Sequence, residues 1–316
     1  MRQPQNGRDD QAGATLRTVV TAVVANLLVA LAKGVAALIT GSAALWAETL
    51  HSIADTGNEV LLFIGVHRSK KKEDPRHPFG YGQERYFWAL LAALGIFVLG
   101  GVLSIGEGVR SLLRPEPLVS PWIGVVVLVA AACFEGYSWR VARRQVLTRA
   151  RELDRTILEH LARGSDPATS TVYLEDSAAL VGIALALAAL VLQLLTGWRA
   201  SDGLASVCIG LLLITVALRL ARRSKSLLID EAAPEDVVRP IREAIVRHGW
   251  IAHVPALEVI FVGPGQLLVI VRVAPVPAAC AAPAHELVGQ VDRLRDELLH
   301  MPAVTEVAVT VEDARG

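Results

Sequence analysis

The 316 residues are 53% hydrophobic and 5% aromatic, and a mean hydropathy of +0.45 excludes an ordinary soluble chain and puts a membrane protein first. Lys plus Arg and Asp plus Glu number 31 each, so no net field points to an acidic substrate, and no nucleic-acid partner is expected. Cys133, Cys208 and Cys280 share no metal-like spacing and two lie in apolar runs, which excludes a disulfide framework and leaves small buried hydrophobes.

Residues 1–16 are polar and lead into an apolar run too long for a signal-peptide core, so they read as a cytoplasmic tail ahead of a retained first span. Six stretches are apolar over roughly 20 residues or more, enough to cross about 30 Å of hydrocarbon as helices. They are 17–40, 44–66, 86–112, 120–142, 169–195 and 202–221, giving an all-α six-helix transmembrane domain over 17–222. Backbone groups in lipid must be satisfied within the segment, and these runs are too continuous for barrel strands. In the first span, Lys33 is expected to snorkel to the outer interface, and Asn26 is a candidate to face a site.

The second span concentrates costly polar groups. Glu48, His51, Asp55 and Asn58 stand at offsets of 0, 3, 7 and 10, which fall within an arc of about 80° on a helix. His51 and Asp55, four apart, lie one above the other and can share an ion.

Arg68, Lys70, Lys71, Lys72 and Arg76 crowd the link between spans two and three. Arg140, Arg143, Arg144, Arg149, Arg151, Arg155 and Arg163 crowd the link between four and five, and the opposite links carry Arg110, Arg114 and Arg199. Both basic links, and with them both termini, are therefore expected in the cytoplasm. Glu107 and Arg110 are spaced to pair near a helix end, and Glu135 is read near the cytoplasmic end of span four. Span five brings Glu175 and Asp176 into an apolar setting. They are about 100° apart on a helix, so Asp176 is taken as the inward residue and Glu175 as the lesser candidate.

Past Arg222 the composition becomes that of a soluble domain, 228–316, reading helix, strand, strand, helix, strand: a small α+β module of ferredoxin-like type. Gly263, Pro264 and Gly265 mark a hairpin between its first two strands. At about 80 residues it is marginal alone, which favours a homodimer.

Imidazole nitrogen and carboxylate oxygen suit zinc and its neighbours, and their negative charge offsets the penalty for a dication in low dielectric. The competing reading makes His51 and Asp55 a packing contact between helices. Four polar groups on one stripe, with an acidic pair on a second span, favour metal.

The runs TGSAALWAETLHSIADTGNEVLL, DPRHPFGYGQERYFWALLAA, LEDSAALVGIALAL and DGLASVCIGLLLITVALRLARRSKSLLID, in this order, resemble the cation diffusion facilitators over Val19 to Asp313. The resemblance implies a six-span, homodimeric metal transporter with a cytoplasmic ferredoxin-like domain. The family places an [HD]xxxD pair on span two and another on span five around a tetrahedral site. These carry over as His51, Asp55 and Asp176, while Val172 stands at the remaining position and cannot ligate. The fourth place is left to water, Glu48, Asn58 or Glu175. An accessory ion on the basic loop would draw on His67, Asp74 and His77, against the plainer reading of a solvated turn. In the cytoplasmic domain His253 and His285 are weak metal candidates beside His248 and His300, and Val271 and Val311 at family positions argue against a complete site.

The function implied is efflux of a divalent transition metal, Zn2+ first, with iron, manganese, cobalt or cadmium as alternatives. Alternating access with proton antiport is expected, because ligands must be deprotonated to bind metal. A bacterial inner membrane is the expected location, with lipid as the surrounding partner. A non-transporting, metal-responsive scaffold is the second reading. An intramembrane metallohydrolase is disfavoured, since no HExxH occurs and no carboxylate is placed as a general base beside a metal-bound water, and no enzyme activity is expected.

Overall fold

The structure, a computed structural model, describes residues 6–152, 156–157, 159, 161 and 167–312. Arg155, Arg163, Asp313 and the first five residues of the tail lie outside the described residues. The elements in chain order are α1 (Asn6–Thr40), α2 (Ala43–Arg68), α3 (Glu84–Leu113), α4 (Pro121–Glu152), α5 (Pro167–Thr196), α6 (Ala200–Leu228), α7 (Glu235–Val246), β1 (Ile251–Gly263), β2 (Gln266–Pro275), the single turn α8 (Pro277–Cys280), α9 (Ala284–Leu299) and β3 (Val304–Val311). The chain divides into two compact units, one running to Val66 and resuming over Phe87–Ser224, the other made of His67–Tyr86 and the chain from Lys225 onward.

Five helices among the described residues are long and apolar enough to cross a membrane: Val23–Thr40 of α1, α3, Pro121–Arg151 of α4, Thr171–Thr196 of α5, and α6. Their outward side chains are apolar, with Leu38 70% and Leu195 80% exposed, a pattern suited to lipid and not to water. The sequence reading counted six spans. The difference is α2, which has 26 residues but carries Glu48, His51, Asp55, Asn58 and Glu59. It nevertheless lies inside the unit, with Ala44, Leu45, Ala47 and Ala54 in the same apolar core as residues of α1, α3, α4, α5 and α6.

The helices overrun the expected span limits. α1 begins at Asn6, within the polar tail, and α4 continues to Glu152, so Arg140, Arg143, Arg144, Arg149 and Arg151 are helical and not in a loop. The stretch after Tyr137 holds no Gly or Pro to stop it and is rich in strong helix formers. α1 stops where Gly41 takes φ +72°, a conformation that suits glycine. α2 starts from a cap made by a distant residue: Asp202 of α6 accepts hydrogen bonds from Ser42 Oγ at 2.5 Å, Ala43 N at 2.5 Å and Ala44 N at 3.4 Å. A carboxylate there satisfies the orphan N–H groups of a helix start.

α3 contains a π-helical turn, Ile96–Val102, and meets α6 through glycines. A Cβ on Gly108 would stand 2.8 Å from the Gly203 carbonyl oxygen, and one on Gly210 2.8 Å from that of Gly101. The two helices thus touch backbone to backbone, as small residues permit within a membrane.

The second unit has the element order expected from the sequence. Its sheet is three-stranded in the order β1-β2-β3, with β1 antiparallel to β2 and β2 parallel to β3. The hairpin turns at Gly265, φ +66°. Val269, Val271 and Val273 of β2 are fully buried against Ile241 and Ile245 of α7 and Leu294 and Leu298 of α9. The alternation of strand side chains and the 3.6-residue period of the helices supply these contacts.

The loop segment joins this unit. Tyr86 is fully buried in its core, Gln83 Nε2 donates to Asp230 Oδ1 at 2.9 Å, and Gly82 lies so close to Val262 and Gly263 that a Cβ would overlap their backbone.

Candidate functional site

The α2 stripe is turned inward. Glu48 has no exposed surface, His51 is 1% and Asn58 2% exposed. His51 Nε2 lies 3.4 Å from Asp55 Oδ2, as their spacing of four requires. Ser52 and Glu59, which the sequence reading left out, stand 4 and 11 residues from Glu48 and widen the stripe to about 120°. Both ring nitrogens of His51, Asp55 Oδ1, Asn58 Oδ1, Glu48 Oε1 and Glu175 Oε1 are buried with no hydrogen-bond partner among the described residues. Buried acceptors so arranged are costly unless a cation or water meets them, and these types suit a dication.

Neighbouring helices hold the two ends of the stripe. On α1, Asn26 Nδ2 donates to Glu59 Oε1 at 2.6 Å. Two turns on, Lys33 Nζ reaches Glu48 Oε2 at 3.1 Å, Ser52 Oγ at 2.9 Å and Glu135 Oε1 of α4 at 3.8 Å. The expectation that Lys33 snorkels outward is thereby corrected: it has no exposed surface, because two carboxylates and a hydroxyl offset its desolvation. Glu135 is likewise not at a helix end but 8% exposed beside Lys33, since α4 runs on to Glu152. On α5, Glu175 Oε2 accepts from Asn58 Nδ2, and Gly182 makes room for Glu48, whose Oε1 a Cβ there would overlap.

Of the α5 pair, Glu175 is buried at 5% exposure while Asp176 is half-buried and accepts from Ser138 Oγ of α4 at 2.8 Å. The expectation that Asp176 is the one turned inward is reversed in burial, because the helix rotation that sets Glu175 against Asn58 carries Asp176 toward α4. Val172 is 37% exposed. Among the described residues no group of three or more His, Cys, Asp or Glu is drawn together tightly enough to hold a metal ion. Glu107 and Arg110 pair at 2.8 Å, as their spacing predicted.

The loop candidates are otherwise engaged. Asp74 Oδ1 accepts from the backbone of Arg76 and His77, and Oδ2 from Tyr81 Oη at 2.7 Å and Lys71 Nζ at 3.1 Å. Lys71 also donates to Tyr81 Oη at 2.7 Å and lies over its ring. These bonds, Tyr81 first and then Lys71, hold the Asp74 carboxyl well below the usual carboxylate range, and Tyr81 and Asp74 raise the Lys71 ammonium. His77 stacks near Tyr81, ring centres 4.1 Å apart. Asp74 is thus bonded to Lys71 and Tyr81, and His77 Nδ1 lies 3.4 Å from Asp74 Oδ1.

His253 on β1 and His285 at the start of α9 are exposed. His248 bonds Glu297 at 3.0 Å and His300 the Asp296 carbonyl at 2.6 Å. Val271 fills the core.

Residues 19–229 match the family model described as the cation efflux transmembrane domain. The chain belongs to the cation diffusion facilitator family. Its membership covers α2 with the other long helices. The chain is 33% identical over 250 residues to metal tolerance protein C4 of Arabidopsis thaliana, covering 79% of this chain and 55% of that protein. It is 34% identical over 224 residues to the mitochondrial proton-coupled zinc antiporter SLC30A9 of Homo sapiens, 71% of this chain and 39% of that one. The cation-efflux pump FieF of Escherichia fergusonii is 26% identical over 225 residues, 70% of this chain and 68% of the pump. The chain thus spans about half or less of the first two relatives' length.

Proposed function

We propose that the chain exports a divalent transition-metal cation, with zinc as the first candidate, from the cytoplasm in exchange for protons. One observation carries this reading: the buried His51–Asp55 pair, with unpartnered nitrogen and oxygen atoms, lies on the α2 stripe beside Glu175. The proton-coupled zinc antiporter among the relatives supports the substrate and the counter-ion.

In this reading α2 is the sixth span, admitted to the membrane because its polar face is turned to neighbouring helices. His51 and Asp55 hold the ion, and α5 supplies Asp176, Glu175 or both once their bonds to Ser138 and Asn58 are exchanged for metal. Each ligand loses its proton to bind and regains it to release, which couples the ion to protons. Rocking of the helices then alternates access to the site. The basic residues of Lys70–Lys72 and Arg140–Arg151 support a cytoplasmic side for both termini, and a bacterial inner membrane is the location inferred. The second unit is read as a ferredoxin-like module that pairs with a second copy.

Purified protein in proteoliposomes, loaded with a zinc indicator and given a pH gradient, tests the proposal. Zinc flux that follows the proton gradient and disappears in Asp55→Asn supports it; no flux of zinc, iron, manganese, cobalt or cadmium in either direction overturns it.

A further inference from the structure

Lys33 is fully buried on a helix that elsewhere turns large apolar side chains outward, Leu28 61% and Leu31 62% exposed. Its ammonium bridges Glu48 and Ser52, one turn apart on α2, and approaches Glu135 from α4. Glu48/Ser52 and His51/Asp55 are two such pairs offset by three residues on the same face, so the ammonium sits on the stripe beside the place proposed for the ion. Glu48 keeps one oxygen on Lys33, and the other rests against Gly182 without a hydrogen-bond partner among the described residues.

We propose that Lys33 is a tethered cation that sets the ligand number and release rate of the transported metal. By occupying Glu48 and Glu135 it keeps two carboxylates out of the ligand set. A dication at His51 and Asp55 then meets few anionic ligands and leaves readily, whereas Glu48, freed, would close over it as one more. Hard anionic oxygen added to a dication site raises affinity and slows exchange, and a transporter needs binding that is reversible. The proposal rests on the export reading above.

The test measures zinc affinity of the full chain in detergent, by competition with a chromophoric chelator, and zinc turnover in proteoliposomes. Lys33→Met is expected to bind zinc at least tenfold more tightly and to turn over at least fivefold more slowly at saturating zinc. Lys33→Arg, which keeps the charge, retains affinity within threefold of wild type. The neutral pair Lys33→Met/Glu48→Gln returns the affinity to within threefold of wild type. Lys33→Met with wild-type affinity and turnover overturns the proposal, as does any weakened binding in Lys33→Met. Should Lys33→Met alone fail to fold, the neutral pair decides: a loss of more than tenfold in affinity makes Lys33 a structural residue and overturns the idea. A wild type that neither binds nor moves any dication defeats the export reading itself.

Discussion

Asn58 of α2 donates its side-chain amide to Glu175 of α5, joining the two helices that carry the metal-ligand candidates. The bond occupies one oxygen of Glu175 and leaves the other buried and unpartnered among the described residues. An ion bound by His51 and Asp55 would gain Glu175 only by displacing that amide. Glu175→Gln is therefore expected to weaken zinc binding by tenfold or more, about 1.4 kcal/mol, and Asp176→Asn by a comparable factor. Chelator competition measures both, and an unchanged dissociation constant for Glu175→Gln would leave Asp176 as the α5 ligand.

Asp202 of α6 caps α2 from 160 positions away in the sequence. Replacing it with Ala strips Ser42, Ala43 and Ala44 of their buried acceptor, a loss of about 1–3 kcal/mol for a cap with unsatisfied donors. Thermal unfolding in detergent should show a lower Tm for Asp202→Ala, with zinc affinity changing much less than in the His51 or Asp55 variants.

Gly182 faces the oxygen of Glu48 that Lys33 does not hold. A methyl group there must push either Glu48 or the backbone of α5 aside, and overpacking of this kind costs about 1–3 kcal/mol. Gly182→Ala should unfold at lower temperature, and Glu48→Gln in that background should not recover the loss, because the obstacle is volume and not charge.

Lys71, Asp74 and Tyr81 bond one another across the loop. The folded Asp74 value lies below the unfolded one of about 3.9, so its contribution is complete above that pH and is lost as pH falls through the folded value. Lys71 is raised, so its contribution is complete below about 10.4 and is lost as pH rises through its folded value. Hydrogen-exchange protection factors across residues 69–82, corrected for intrinsic rates, should thus be flat from about pH 5 to 9 and indifferent to EDTA, while Asp74→Asn should lower them several-fold. Slower exchange on adding zinc would favour the accessory-ion reading.

Much of this was legible in the residues themselves. Helical period placed Glu48, His51, Asp55 and Asn58 on one face, and all three of Glu48, His51 and Asn58 are buried together with the half-buried Asp55. Turn chemistry located the Gly263–Gly265 hairpin. What spacing does not carry is the rotation of one helix against another. Whether Glu175 or Asp176 turns inward, and whether Lys33 runs to the interface or inward to Glu48, depend on contacts with α2 and α4 that no local pattern encodes. Opposite charges at Lys33, Glu48 and Glu135 in separate apolar runs were the available signal, since isolated charges within lipid seek one another. Helix ends were missed for a similar reason: the arginines after Tyr137 mark a change of solvent, not a change of backbone.

The failure of α2 to reach the apolarity of its neighbours bears on how the polypeptide enters lipid. A helix with three acidic side chains gains little by inserting alone, but Gly41 and Ser42 join it to α1 in a tight antiparallel pair, where Asn26 meets Glu59 and Lys33 meets Glu48. Threaded together, the two segments cancel or cover much of each other's polarity before any later helix exists. The α1–α2 hairpin is thereby a natural unit of insertion, and the same Lys33–Glu48 contact that ties the helices together also eases the acidic face of α2 into the bilayer.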